Sequence, residues 1–124
     1  MNKNRPVNLD LATITLPVTG YVSILHRISG VVMLAGVLGL LWLLDATLSS
    51  EAGFAAVQKC LSSPGAKIVI WGIFSALAYH LVAGIRHLIM DMGVGESLEG
   101  GRLGAKLVLV IAAVLIVGLG VWLW

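Results

Sequence analysis

The sequence predicts an all-α membrane protein with three transmembrane helices that run antiparallel, up-down-up. Of its 124 residues, 59% are hydrophobic and only 11% are charged, and the mean hydropathy is +1.02. A soluble domain carries about 45–50% apolar and about 25% charged residues. Three apolar stretches have the length of about 20 residues that a helix needs to cross a bilayer, and polar, glycine-rich segments separate them.

Composition excludes several classes of function. The net charge is only +2, and the basic residues gather beside the apolar stretches, so no nucleic-acid partner is expected. The single cysteine, Cys60, rules out an internal disulfide, an iron–sulfur cluster and a cysteine zinc site within this chain. Residues 1–20 have no apolar core, so we expect no secretory signal there.

Residues 1–20 are predicted to form an arm at the membrane surface. Proline follows Arg5 and Leu16, and a residue that precedes proline disfavours helix. Helix I is predicted over about 21–48, with a charge-free core from Ile28 to Leu44.

Helix I begins with an unusual run of polar side chains. Ser23, His26, Arg27 and Gly30 fall at helical spacing on one face. A hydroxyl, an imidazole and a guanidinium that share a face at a membrane edge favour a polar pocket, because such groups are disfavoured in lipid. The alternative is that Arg27 only extends to the interface and helps to set the orientation.

The remaining segments follow from breakers and hydropathy. In chain order we predict a loop over 49–66 with a short interfacial helix at 54–57, helix II over about 66–92, a glycine-rich loop over 93–101, and helix III over about 102–124. Helix III is apolar and ends with Trp122 and Trp124, so we interpret it as a packing helix with an interfacial anchor.

Helix II carries an imidazole inside an uncharged stretch. No formally charged residue occurs from 68 to 85, yet His80 lies within it. Small residues and a second imidazole share its helical face: Gly72, Ala76, Gly84 and His87. That face leaves room for a planar group, and haem is a planar group that takes an imidazole ligand. Alternatively, the small residues serve helix packing and His80 hydrogen-bonds to another helix.

The distribution of Lys and Arg predicts the orientation. The N-terminal side and the helix II–III loop carry six: Lys3, Arg5, Arg27, Arg86, Arg102 and Lys106. The other loop carries two, Lys59 and Lys67. The positive-inside rule therefore puts the N-terminus in the cytoplasm and the C-terminus in the periplasm.

Helical rise predicts the depth of each polar group. His80 lies eleven residues before Asp91, about 16 Å into a core of about 30 Å. We expect His26 and Arg27 near the level of His87, so that a deep imidazole lies below a shallow ring of cations. A haem with two imidazole ligands would then need its second one from another subunit, with Met33 as the rival within the chain.

Three motifs carry a family resemblance over nearly the whole chain. They are RPVNLDL at 5–11, SILHRISG at 23–30 and ALAYHLVAGIRHLIMD at 76–91. Together they resemble the cytochrome b556 subunit of bacterial succinate dehydrogenase, the larger of the two membrane anchors of complex II.

The resemblance implies specific roles. His80 would be the axial ligand of one haem b iron, and the second anchor subunit would supply the other ligand. His26, Arg27 and His87 would surround the haem propionates, and Ser23 and Arg27 would form part of the ubiquinone pocket.

The resemblance also implies partners, location and reaction. The partners would be a second membrane anchor, an iron–sulfur subunit, a flavoprotein subunit and membrane lipid, in the bacterial inner membrane. The complex would oxidise succinate and reduce ubiquinone, with no dehydrogenase active site in this chain alone. The alternatives to this function are the anchor of a fumarate reductase, a small transporter or channel subunit, and a purely structural anchor without a cofactor.

Overall fold

The computed structural model describes residue 7 and residues 9–124, and this part of the chain contains four helices and no strand. They are α1 (Val18–Ser49), α2 (Glu51–Leu61), α3 (Pro64–Asp91) and α4 (Leu98–Leu123). Helices α1, α3 and α4 are long and apolar enough to cross a membrane, which confirms the predicted class. The short α2 extends the interfacial helix that was predicted at 54–57.

Serine caps explain where three of the helices begin. Ser50, Ser63 and Ser97 stand at the N-caps of α2, α3 and α4, and each side chain accepts a hydrogen bond from the backbone N–H three residues later. Such caps satisfy one of the free N–H groups at a helix start. Pro64 follows Ser63 at the first helical position, where its missing N–H is harmless.

All four helices begin earlier than predicted, and the difference matters most for α1 and α4. Helix α1 begins at Val18, directly after the extended Pro17, and α4 begins at Leu98 under the Ser97 cap. The predicted loop over 93–101 therefore shrinks, and Gly93 and Gly95 provide its left-handed turns with φ of 85° and 74°. Residues 1–6 and 8 of the predicted arm, which include part of the RPVNLDL motif, lie outside the described residues.

Interhelical contacts show that α3 packs antiparallel to both α1 and α4. Between α1 and α3, His26 contacts His80 and Gly36 contacts Ile73. Residue numbers therefore increase along α1 in the direction in which they decrease along α3. The same reversal relates α3 to α4, where Arg86 meets Gly101 and Trp71 meets Ile116. This confirms the predicted up-down-up arrangement.

The buried core is small and lies where the three long helices meet. Its members are Val22, Tyr79, Ala83, Ala105, Val108 and Ala112. Most large apolar side chains of the long helices are instead exposed. Outward-facing Leu, Val and Ile on helices of spanning length fit a lipid or partner-protein environment rather than water.

Candidate functional site

All three histidines of the chain lie together between α1 and α3. The His26 ring stacks on the His80 ring, with 4.0 Å between centroids and 17° between planes. His87 lies two helical turns after His80 on α3. Its ring centroid is 5.0 Å from that of His26, and the planes of these two rings are tilted by 51°. The structure thus brings together the three imidazoles that the sequence singled out on two different helices.

Hydrogen bonds determine which nitrogen of His80 carries its proton. The His80 Nδ1 atom lies 3.1 Å from the carbonyl oxygen of His26 and 3.0 Å from Ser29 Oγ. The Ser29 hydroxyl donates to that same carbonyl at 2.7 Å. A carbonyl oxygen only accepts, so Nδ1 is the protonated nitrogen and Nε2 keeps its lone pair. Within residues 9–124, this Nε2 has no hydrogen-bond partner.

Two glycines let the imidazoles lie against helix backbones. A Cβ added at Gly30 would lie 3.2 Å from Cε1 of His80, and one at Gly84 would lie 3.5 Å from Nε2 of His26. The space that the sequence predicted beside Gly84 is therefore filled by the His26 ring. A Cβ added at Gly72, further along the same face, would meet no atom of another described element within 4 Å.

Distances along the helices relate the three imidazoles to the helix ends. Since α1 begins at Val18, His26 is eight residues inside the helix, or about 12 Å. His80 and His87 lie eleven and four residues from the end of α3, or about 16 and 6 Å. The His26 ring contacts both of the others, with centroids 4.0 Å from that of His80 and 5.0 Å from that of His87.

The stacked geometry limits what the cluster can bind. Two rings whose faces touch leave no room for a metal ion between them, so His26 and His80 are not opposite ligands of one iron. No three His, Cys, Asp or Glu side chains in the described part of the chain converge to hold a bare metal ion. Nε2 of His26 is buried without a hydrogen-bond partner, which leaves a polar atom available to a bound group.

Ser23 and Arg27 lie on neighbouring turns of α1, outside the stacked rings. Ser23 is half-buried and Arg27 is exposed. Within residues 9–124, neither forms a hydrogen bond or ion pair through its side chain. A hydroxyl and a guanidinium one helical turn apart can converge on one small polar target, and both are free to do so here.

Two contacts of the site were missed from the sequence. Ser29 was not singled out, although it lies three residues after His26 and therefore on a neighbouring face. The Tyr79 hydroxyl donates to the Val22 carbonyl oxygen at 2.7 Å. This buried bond ties α3 to α1 directly beside His80, so it holds the imidazole in position.

Comparison with known proteins identifies the family of the chain. Residues 1–119 match the succinate dehydrogenase/fumarate reductase transmembrane subunit family. The chain belongs to this family. It is therefore the membrane-anchor subunit of an oxidoreductase, as the three motifs predicted.

Three relatives cover most of the chain. The succinate dehydrogenase cytochrome b556 subunit of Coxiella burnetii is 43% identical over 125 residues, which span both chains completely. That of Paracoccus denitrificans is 34% identical over 114 residues, or 92% of this chain and 88% of the relative. The cytochrome b560 subunit of Reclinomonas americana is 33% identical over 117 residues, 90% of this chain and 81% of the relative.

Proposed function

We propose that this chain is the haem b- and ubiquinone-binding anchor of a bacterial succinate:ubiquinone oxidoreductase. Family membership and relatives named as cytochrome b subunits support the proposal. The observation that carries it is the state of His80: its Nδ1–H is committed to the His26 carbonyl oxygen and Ser29. Metal-binding histidines commonly have this arrangement, because it turns the other nitrogen toward the metal.

His80 would hold the haem iron through Nε2. A bound b-type haem supplies a one-electron redox centre at this position. The chain itself contributes the ligand, the hydrogen bonds that orient it and the Gly30 backbone that lets the ring lie flat. Since the His26 ring is stacked on His80, the second ligand would come from the second anchor subunit.

The other cationic or potentially cationic groups lie on the shallow side of His80. His26 offers a buried Nε2 without a partner, and His87 lies two turns toward the end of α3. Arg27 follows His26 on α1. These three groups would receive the anionic haem propionates, because buried carboxylates require charged or hydrogen-bonding partners.

Ser23 and Arg27 would bind the quinone head group. The Ser23 hydroxyl can donate to a quinone carbonyl oxygen, and the Arg27 guanidinium can stabilise the negative charge that develops there during reduction. Both lie within the first three turns of α1, so a ligand there would keep its apolar tail in lipid and its polar head near an extrinsic electron donor.

The assembly would contain three further subunits in the bacterial inner membrane: a second anchor, an iron–sulfur protein and a flavoprotein. The N-terminus would face the cytoplasm and the C-terminus the periplasm, as the six-to-two distribution of Lys and Arg predicts. A reporter enzyme fused after Trp124 should then behave as a periplasmic protein. Cytoplasmic activity would contradict the orientation.

A transporter is disfavoured because α1, α3 and α4 are each continuous, whereas transport sites commonly use broken helices. A fumarate reductase anchor shares the family description. Assays in both directions, with a high-potential and a low-potential quinone, separate the two oxidoreductases.

The complex should be purified through a tag on this chain. We expect a flavoprotein, an iron–sulfur protein and a second small hydrophobic subunit to co-purify, with a b-type haem spectrum and succinate-dependent ubiquinone reduction. Purification without haem, or with haem but without the dehydrogenase subunits, would contradict the proposal.

A further inference from the structure

A groove of about 360 Å³ separates the end of α3 from the start of α4, away from the imidazole cluster. Small-ligand sites have volumes of about 300–1,000 Å³. Its walls are apolar side chains: Val82, Ile85 and Ile89 from α3, and Leu107 and Ile111 from α4. Arg86 is the single charged residue among the lining side chains. The groove is therefore an apolar channel with one cation.

The Arg86 guanidinium is incompletely satisfied. Its Nη2 donates to the Gly101 carbonyl oxygen at 3.1 Å, while its Nε is buried and has no hydrogen-bond partner. It forms no ion pair with any residue of the described chain. A guanidinium has five N–H donors and always carries its charge, and an unneutralised charge among apolar side chains is unfavourable. The groove consequently favours an anion.

The local backbone strengthens that preference. Arg86 meets the first turns of α4, where the helix end carries a partial positive charge. Gly104 makes the approach possible, because a Cβ there would lie 3.2 Å from Arg86 Nε. Glu99, in the first turn, is exposed and forms no ion pair with Arg86.

The depth of the groove identifies the kind of anion. The Arg86 backbone lies five residues before the end of α3, or about 7.5 Å inside it. Its long side chain reaches Gly101 near the start of α4, and in this way the guanidinium approaches the head-group level of a bilayer. The apolar walls continue from there toward the middle of the helices. An occupant with an anionic head and an aliphatic chain matches both parts. A neutral amphiphile would leave the guanidinium uncompensated.

We propose that this groove binds an anionic phospholipid. Its phosphate pairs with Arg86, and one acyl chain lies between α3 and α4 along Ile85 and Ile111. Basic pockets between transmembrane helices on the cytoplasmic side are known to hold anionic head groups. The other cations of α4, Arg102 and Lys106, are exposed and lie outside the groove lining.

The test uses the whole purified complex, delipidated in detergent and titrated with phosphatidylglycerol. Bound lipid is counted by native mass spectrometry, and thermal stability is followed in parallel. Arg86→Gln should weaken binding at least about tenfold, the loss of one charged hydrogen bond. Arg102→Gln, which removes an exposed cation at the same end of α4, is the matched control and should bind as the wild type does.

Two further measurements serve as controls. One distinguishes an anionic phospholipid from other sources of phosphate, and the other distinguishes loss of binding from misfolding. Zwitterionic phosphatidylcholine and chain-free glycerol phosphate should fail to stabilise the wild-type complex as phosphatidylglycerol does. Ile111→Trp narrows the groove without changing Arg86 and should also weaken lipid binding. If the complex with Arg86→Gln does not assemble, Ile111→Trp provides the test instead. An unaltered haem spectrum confirms that a variant is folded.

Three results would overturn the proposal. The first is equal phosphatidylglycerol binding by Arg86→Gln and Arg102→Gln. The second is equal stabilisation of the wild type by phosphatidylcholine or by glycerol phosphate. The third is a wild-type complex that binds no phosphatidylglycerol, as expected if the second anchor subunit covers the groove.

Discussion

The two interfaces of α3 are built differently. Toward α1, α3 presents His80 and the Tyr79 hydroxyl, which meet Ser29 and backbone carbonyl oxygens. Toward α4, the buried residues are small and apolar: Ala83, Ala105, Val108 and Ala112. The hydrogen bonds that the described side chains make between α3 and α4 lie nearer the ends, at Trp71 and Arg86.

This difference indicates that the α1–α3 interface forms the binding site, whereas the α3–α4 interface mainly stabilises the fold. Small residues let membrane helices approach closely, and the resulting van der Waals packing helps to hold them together. Polar side chains at the same depth are unfavourable unless they have a function or a partner. Nε2 of His26, a buried polar atom without a partner, lies at the α1–α3 interface eight residues inside α1, whereas Nε of Arg86, at the α3–α4 interface, lies nearer the end of α3. We therefore expect substitutions at the α1–α3 interface to change cofactor chemistry, and substitutions at the α3–α4 interface to change stability.

The largest effect should come from Ser23 and Arg27, near the start of α1. Under the proposed function, Ser23→Ala and Arg27→Leu each remove a group that stabilises charge on the quinone oxygen. Losing one such group lowers turnover about 10²-fold in well-studied enzymes. Succinate:ubiquinone activity should fall by that order, while succinate oxidation with a soluble artificial acceptor stays nearly unchanged.

The soluble-acceptor assay controls for assembly in both variants. Equal loss with both acceptors would indicate a failure to assemble. Full ubiquinone activity would remove both residues from the quinone site.

An intermediate effect is expected at Ser29. Ser29→Ala removes one hydrogen bond to His80 Nδ1 but leaves the His26 carbonyl oxygen in place. Outer-shell substitutions change metal affinity about 10–100-fold, and we expect the lower end. Haem should transfer to apomyoglobin about tenfold more readily, and the haem reduction potential should rise because the imidazole becomes a weaker electron donor.

The chain offers a matched control for this change. Ser75 is also on α3, and its Oγ is buried without a hydrogen-bond partner. Ser75→Ala should leave haem transfer and potential unaltered. If the two serine variants behave alike, Ser29 does not act through His80.

The smallest effects should come from substitutions that remove a single hydrogen bond at one of the two interfaces. Tyr79→Phe removes a 2.7 Å bond to α1, and Trp71→Phe removes a 2.8 Å bond to α4. Hydrogen bonds between membrane helices contribute about 0.6 kcal/mol on average, so each variant should lose stability by about that amount in thermal unfolding. Only Tyr79→Phe should also shift the haem spectrum, because Tyr79 is adjacent to His80.

Tyr21→Phe removes an exposed tyrosine hydroxyl on α1 and serves as the control for the tyrosine change. A haem spectrum altered by Trp71→Phe but not by Tyr79→Phe would reverse the comparison between the two interfaces.

The number and order of the membrane-spanning helices could be predicted from the sequence, because length and hydropathy alone identify such helices. The three spans and their antiparallel order were predicted, and helical spacing placed His80 well inside α3. Helix starts were less predictable. The glycines at 100 and 101 indicated a loop, yet the Ser97 cap and the close contact of Gly101 with α3 make them helical.

The detail of the site depended on how two helices meet, which spacing along one helix does not determine. The packing of α1 on α3 brings His26 against His80, and its ring fills the space expected beside Gly84. Ser29 became important only because α3 brings His80 against it. The groove at Arg86 likewise requires α4 to be in place, so the sequence indicated an orienting charge and no cavity.

The central claim is that Nε2 of His80 is the haem ligand from this chain, and removing the ring while supplying it in solution tests this most directly. His80→Gly should lose the low-spin b-type spectrum, and added imidazole should restore it by entering the space left by the side chain. His87→Gly should keep the spectrum without imidazole. An unchanged spectrum in His80→Gly, or loss in His87→Gly that imidazole restores, would contradict the account.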